Sequence, residues 1–377
     1  MLPQRLLLAG LLALLGATGA AQAQAQSQIR IGQTAGLTGA VADAVKEASD
    51  GARLYFDSVN ARGGIGGQKL GLVSLDDQFD PKLAVENART LIGQGVIALF
   101  LTRGTPHNQA ILPLLSESKV PLVGPSTGAM VLHEPVQPWL FNVRATYQRE
   151  AERAVKHLVQ VGVDRIALVQ VADSFGEDAT VGALRGFGAK LKPVLHDKYD
   201  RAKPEFSAIV PRITAADAQA VLFIGSGTAV VDGMKALRAA GSRAQMLTLS
   251  NNASAGFVKA LGDIARGVIV SQVLPAERSL ATPMVKEAAD LARARGANAP
   301  EITPALLEGF AAAKVLVEGL RRAAAARDLT RGGLQRALET LNRYDLGGLE
   351  LSYSATDHTG LDYADLSIIG ADGRFRR

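Results

Sequence analysis

Apolar runs of strand length alternate with amphipathic stretches of helix length along almost the whole chain. The first half opens with a strand, IRIGQT (29–34). A helix over 45–60 follows and is stopped by the glycine-rich turn ARGGIGG (61–67). Next come a strand KLGLVSLDD (69–77) and a helix over 81–92 with Pro81 in its first turn. A strand VIALFL (96–101), a helix over 106–119 and a strand VPLVG (120–124) complete this series. The pattern then restarts. Helices are expected at 148–161, 177–190, 206–215 and 228–240, and strands at 165–171, 194–199, 220–225, 245–250 and 267–274. Helical periodicity dominates 283–341, and the strand-like pieces LELSYS (349–354) and DLSIIG (365–370) close the chain.

Such alternation predicts an α/β fold, with parallel sheets covered by helices on both faces. Two series of similar layout predict two doubly wound lobes, and with no low-complexity linker they are joined by ordered crossovers. Ligands of open α/β sheets bind at the carboxyl ends of the strands. The loops expected there are 34–39, 102–107, 124–128, 171–178, 225–228 and 250–254, all rich in glycine and small hydroxyl residues. Hydroxyls and free amides at helix starts suit a carboxylate. Each loop alone reads more readily as plain helix capping. Six on one expected edge favour a binding cleft.

Composition narrows the options. The chain has 377 residues, enough for two domains, and 47% of them are apolar. It has no cysteine, which excludes disulfides, thiolate metal sites, a cysteine nucleophile and a lipid-anchoring cysteine. Residues 1–25 carry one charge, Arg5, then an apolar run (6–15) and small residues with Ala-x-Ala sites near 21–25. That is the pattern of a cleaved secretory signal, which places the mature protein in the periplasm with no lipid anchor. The formal charge is +5, and +4 without Arg5, with no basic stripe interleaved with aromatics, so nucleic acid is not an expected partner.

Candidate chemistry is sparse. GPSTG (124–128) matches the Gly-x-Ser-x-Gly nucleophile elbow, with Ser126 as nucleophile and Asp345 and His358 following in hydrolase order. Its context argues against it. Pro125 restricts the turn, and Pro135 leaves little room for the helix an elbow needs. GGIGG follows a helix instead of a strand and lacks a Gly-Lys-Ser/Thr, so it is neither a dinucleotide nor a phosphate loop. His107, His133, His157, His196 and His358 show no metal spacing. Asp76-Asp77 reads as a cap or a solvated pair before a catalytic one. No cofactor and no metal are expected.

The stretches IRIGQTAGLTG, GARLYFDSVNARGGIGGQKLGLVSLDDQFDP, VPLVGPSTG, DSFGED and LRAAG, in this order and spacing, resemble a known family. From Ile29 to about Gly370 the chain is similar to type I periplasmic solute-binding proteins, in the leucine/isoleucine/valine-binding branch that serves ABC importers. The resemblance implies two α/β lobes joined by three crossover strands near residues 146, 275 and 355. Lobe I would be 29–146 plus 276–355, and lobe II 147–275 plus 356–377. It implies a ligand gripped between lobes by hinge closure, no catalysis, and a monomer that meets an ABC permease and ATPase at the inner membrane. A role in delivering ligand to a sensor or chemoreceptor fits the same fold.

The resemblance also assigns positions. The carboxylate-binding hydroxyl after the third strand is Thr105, and the groups after the fourth are Ser126, Thr127 and Gly128, with the family's threonine falling on Gly128. The pocket aromatic of the DSFGED loop is Phe175. Three positions depart from the family. The first-loop aromatic falls on Ala44, the aromatic after LFIG on Ser226, and the acid that pairs with a ligand ammonium on Ser250. A buried ammonium without a counter-charge is costly. Unless Glu308 or Asp173 supplies that charge, the expected ligand is a small organic or aromatic acid lacking the amino group. Arg103 reads equally as its anion partner or as a strand-end arginine. Tyr147 either stacks on the ligand or packs the hinge.

Overall fold

A computed structural model describes residues 28–377. The expected leader lies outside the described residues. The first sheet contains β1 (Gln28–Ala35), β2 (Lys69–Asp76), β3 (Ala98–Phe100), β4 (Leu122–Val123) and β5 (Leu140–Phe141). Its order is β2-β1-β3-β4-β5, parallel throughout. Helices α1 (Ala42–Ala61), α2 (Pro81–Gly93) and α3 (Thr105–Ser118) connect these strands. The second series runs α4 (Tyr147–Gln160), β6 (Ile166–Val171), α5 (Ser174–Gly186), β7 (Leu195–Tyr199) and α6 (Ile209–Ala215). It continues through β8 (Ala220–Ile224), α7 (Thr228–Ala239), β9 (Gln245–Thr248), α8 (Ala255–Leu261) and β10 (Ile269–Gln272).

The chain then returns to the first lobe with α9 (Pro283–Arg293), α10 (Pro304–Ala325), α11 (Arg331–Glu339) and a small hairpin, β11 (Tyr344–Asp345) with β12 (Glu350–Leu351). Finally β13 (Asp365–Ile369) and β14 (Phe375–Arg376) join the second sheet, antiparallel, in the order β14-β13-β10-β9-β8-β6-β7. The chain therefore passes between the lobes three times: after β5, after β10 and after β12.

The sequence dictates much of this locally. Every residue of β6 and β8 is buried, as a strand covered on both faces requires. Asp80 caps α2 by accepting from the Lys82 amide, with Pro81 filling the first turn. Thr146, Thr303 and Thr330 cap α4, α10 and α11 in the same way. Helices α1 and α10 pack closely because two glycines let their backbones meet. A Cβ on Gly51 would lie 1.9 Å from the Leu306 oxygen, and one on Gly309 would lie 1.7 Å from the Ala48 oxygen.

The expected elements differ from the observed ones in places. The strand expected over 120–124 shortens to two residues, and β5 and α8 were not anticipated. The helix expected from 177 starts at Ser174, because Asp173 caps it through the Phe175 and Gly176 amides. In each sheet the second strand from one edge, β1 or β6, has the next two strands of the chain on its two sides, β2 and β3 or β7 and β8. The carboxyl ends of β1/β3 and of β6/β8 are therefore the switch points where loops diverge and leave a crevice.

Candidate ligand-binding cleft

The first lobe's wall is built by extending the β3–β4 pairing past the strands. Ser126 donates its amide to the Thr102 oxygen at 2.8 Å, and an isolated parallel bridge joins Arg103 to Ser126. This register brings the Thr105 and Thr127 hydroxyls to 2.7 Å from each other. Gly104 turns the chain into α3 at φ +95, where a side chain would be strained and its Cβ would strike the His107 ring at 2.4 Å. At Gly128 a Cβ would lie 2.5 Å from the Ala145 oxygen and 2.8 Å from the Tyr147 nitrogen. The backbone there leaves no room for the family's threonine.

Arg103 is the charge at the centre of the cleft. It is 5% exposed. Its guanidinium donates to the Ser126 hydroxyl at 3.2 Å and across the crevice to the Asn251 main-chain oxygen at 2.6 Å. Among the described residues no carboxylate lies within 4.0 Å of it. Burial pulls its pKa below the usual arginine value, and the more distant Tyr147 and Glu308 only partly offset that.

The second lobe supplies the facing wall. The Tyr147 and Phe175 rings sit 4.5 Å apart. Ser226 accepts from Asn251 Nδ2 at 3.0 Å, while Asn251 Oδ1 is buried without a partner. Arg201 is bound to Asp173, whose carboxylate also caps α5, and it lies 4.9 Å over the ring of Phe79 from the first lobe. Arg103, Thr105, Ser126, Phe79, Tyr147, Phe175, Ser226, Arg201 and Asn251 together line the narrow space between the lobes.

A second buried arginine behaves differently. Arg144 contacts Glu150 directly and has Glu308 at 3.7 Å. Burial alone would lower its pKa, but these carboxylates outweigh burial and raise it. Ser250 belongs to this cluster. Its hydroxyl accepts from Arg144 at 2.8 Å and its amide donates to Glu150 at 2.9 Å. Tyr147 stacks under the Arg144 guanidinium at 4.6 Å, and burial raises its phenol pKa against the pull of Arg144.

The description "periplasmic binding protein" applies to the family model that matches residues 28–370, nearly all of the described chain. The chain belongs to the periplasmic binding protein family. Among its relatives is a Leu/Ile/Val-binding protein of Rhizobium johnstonii, 30% identical over 81% of this chain and 82% of that protein. A substrate-binding periplasmic protein of Ralstonia solanacearum is similar in structure, with TM-score 0.85 and 32% identity, covering 92% of this chain and 99% of that one. A possible leucine/isoleucine/valine-binding protein of Rhodopirellula baltica matches with TM-score 0.86 and 25% identity, covering 93% and 97%.

In this periplasmic binding protein the sequence-derived site residues divide into two groups. Arg103, Thr105, Ser126, Tyr147, Phe175 and Ser226 border the inter-lobe space. Thr127 sits behind Thr105, and the Gly128 carbonyl accepts the Tyr147 amide at 2.8 Å. Ser250 and Glu308 do not border that space and instead meet Arg144. The 3-10 turn Ser250–Asn252 directs Ser250 toward the ion pair and Asn251 toward the gap.

Sequence reasoning missed Phe79, Arg201 and Asn251. Asn251 lies in a loop already singled out, one residue along. Arg201 follows the expected strand 194–199, and Phe79 follows 69–77. Both occupy strand-end loops that had not been singled out.

The hydrolase triad is not assembled through contacts. The Ser126 hydroxyl accepts from Arg103, and Asp345 accepts two turn amides at 2.8 and 2.6 Å. His358 is buried against Phe141, with Nδ1 2.8 Å from the Leu140 oxygen. Among the described residues there is no cluster of three or more groups able to hold a metal, and no helix long and apolar enough to cross a membrane.

Proposed function

We propose that this protein is the periplasmic solute-binding component of an ABC importer and that its cargo is a small organic or aromatic acid. The observation that carries the ligand class is Arg103, a buried cation in the inter-lobe space with no carboxylate within 4.0 Å. A buried guanidinium gains most from a carboxylate, which it holds with two parallel hydrogen bonds. The hydroxyls of Thr105 and Ser126 stand beside it, and Tyr147, Phe175 and Phe79 offer flat apolar walls.

An amino acid would need a partner for its ammonium. Ser250 has none to offer, Asp173 is taken by Arg201, and Glu308 faces Arg144. The names of the relatives favour an amino acid, so the chemistry of this cleft and those names point different ways.

In this reading residues 29–146 plus 276–355 form one rigid lobe and 147–275 plus 356–377 the other. The three passages between them flex, and closure over the acid creates the surface a permease and its ATPase recognise. The ligand leaves chemically unchanged.

A thermal-shift screen of the mature protein against organic acids and amino acids tests the proposal. Ligand at 100 times its dissociation constant stabilises the fold by about 2.7 kcal/mol. Acids should raise the melting temperature and leucine, isoleucine and valine should not. The reverse pattern overturns the ligand assignment. Covalent labelling of Ser126 by a serine-reactive phosphonate would overturn the non-enzymatic reading.

A further inference from the structure

Arg103 and Asn251 border two spaces. One is the inter-lobe gap already described. The other, partly open to solvent, lies between the start of α1 and helices α7 and α8. From the carboxylate reading of Arg103, on which this rests, we propose that the cargo is an amphipathic acid. Its carboxylate meets Arg103, and its hydrocarbon tail runs past the Arg103–Asn251 contact into this second chamber.

The chamber's walls support that class. Val41 and Ala44 come from the first lobe, and Val231, Phe257 and Ala260 from the second. The polar groups among them are mostly engaged. Asn252 accepts the Gly227 amide at 2.8 Å and donates to the Gly225 oxygen and the Thr248 hydroxyl. The Ser254 hydroxyl caps α8 by accepting from Phe257 N at 3.1 Å. Asp43 is exposed and packs on the Cα of Gly256 at the edge.

The chamber exists because small residues meet there. A Cβ on Gly227 would come within 1.7 Å of the Ala40 oxygen, so glycine sets how closely the lobes approach on this side. Ala44 borders this space, and a ring at that position would fill it. Arg103 is thus flanked by hydroxyls and aromatics on one side and by an apolar compartment on the other. Val41, Ala44, Val231 and Phe257 in its wall favour hydrocarbon over a charged or strongly polar tail.

Calorimetric titration of the mature protein with straight-chain monocarboxylates from acetate to decanoate tests this. Each methylene entering an apolar chamber improves affinity by about fourfold. Affinity should climb along the series and then level off when the chamber is full. In Ala44→Leu, and separately in Ala260→Leu, the plateau should come at a shorter chain, with circular dichroism melts verifying that each variant folds. Binding of the acids with no dependence on chain length would overturn the tail assignment and leave the carboxylate reading standing. So would a plateau that neither variant moves. Failure of every acid in the series to bind would overturn the tail assignment, and failure of the aromatic acids as well would remove the carboxylate reading.

Discussion

The Arg103 guanidinium of one lobe donates to the main-chain oxygen of Asn251 in the other at 2.6 Å. One side chain thereby reports on the ligand space and on lobe contact together. Two hydrogen bonds to neutral oxygens satisfy part of its donor set and leave it without a carboxylate partner within 4.0 Å among the described residues.

Replacing Arg103 with Met should separate these roles. Hydrogen bonds to a charged group contribute about 1.5–3 kcal/mol, so affinity for the cargo acid should fall by roughly 10- to 150-fold. The unliganded protein should melt at the same temperature or higher, because an unpaired buried charge has been removed. Titration calorimetry and melting curves read the two effects separately. Undiminished affinity would move the anion site elsewhere.

Thr105 and Thr127 share one hydrogen bond at 2.7 Å, and Thr105 borders the gap. Thr105→Val keeps the shape and removes the hydroxyl. Carboxylate binding should weaken by roughly 1–3 kcal/mol, measured by titration against the same acid. An unchanged dissociation constant would take Thr105 out of the site.

Glu47 on α1 reaches the other lobe. Its carboxylate accepts the amides of Ala255 and Gly256 at 3.2 and 3.1 Å, and also the Thr303 hydroxyl at 2.7 Å. Burial raises its pKa against these bonds. If this contact helps hold the lobes together, Glu47→Gln should increase the radius of gyration in solution scattering and weaken ligand binding by about tenfold. Unchanged scattering and affinity would make the contact incidental.

Asp77 gives a pH prediction. It is fully buried, and burial pushes its carboxyl up to about 6 despite bonds from the Phe79 amide and the Thr34 hydroxyl. The folded pKa lies above the unfolded one, so the native state binds the extra proton between about pH 4 and 6. The group's contribution to stability therefore declines as pH rises through that window. From pH 4.5 to 7.5 the native protein should lose roughly 2 kcal/mol relative to Asp77→Asn. Denaturant titrations at the two pH values measure the difference, and parallel curves would refute it.

The elements most legible in the sequence carry their signal locally. Strand β8 is an uninterrupted apolar run and β6 is broken only by Gln170, and Pro81 and the capping threonines mark helix starts. Strand β5 is two residues long and α8 only seven, too short for a period to register. In the cleft, Thr105, Ser126 and Phe175 fall in strand-end loops that the pattern singles out, while their individual roles are what the family resemblance implies. Ser250 and Glu308 could not be placed. Their direction is set by contacts with Arg144 and Glu150, which lie far from both of them in the chain, and no local pattern records that. The same register choice hid Asn251.

The most direct test is a crystal structure of the mature protein with its natural acid cargo. The account predicts the carboxylate within 4 Å of the Arg103 guanidinium, between the lobes, with no ammonium on the ligand. An amino acid in the gap with its ammonium on Glu308, or any cargo that leaves Arg103 untouched, would contradict it.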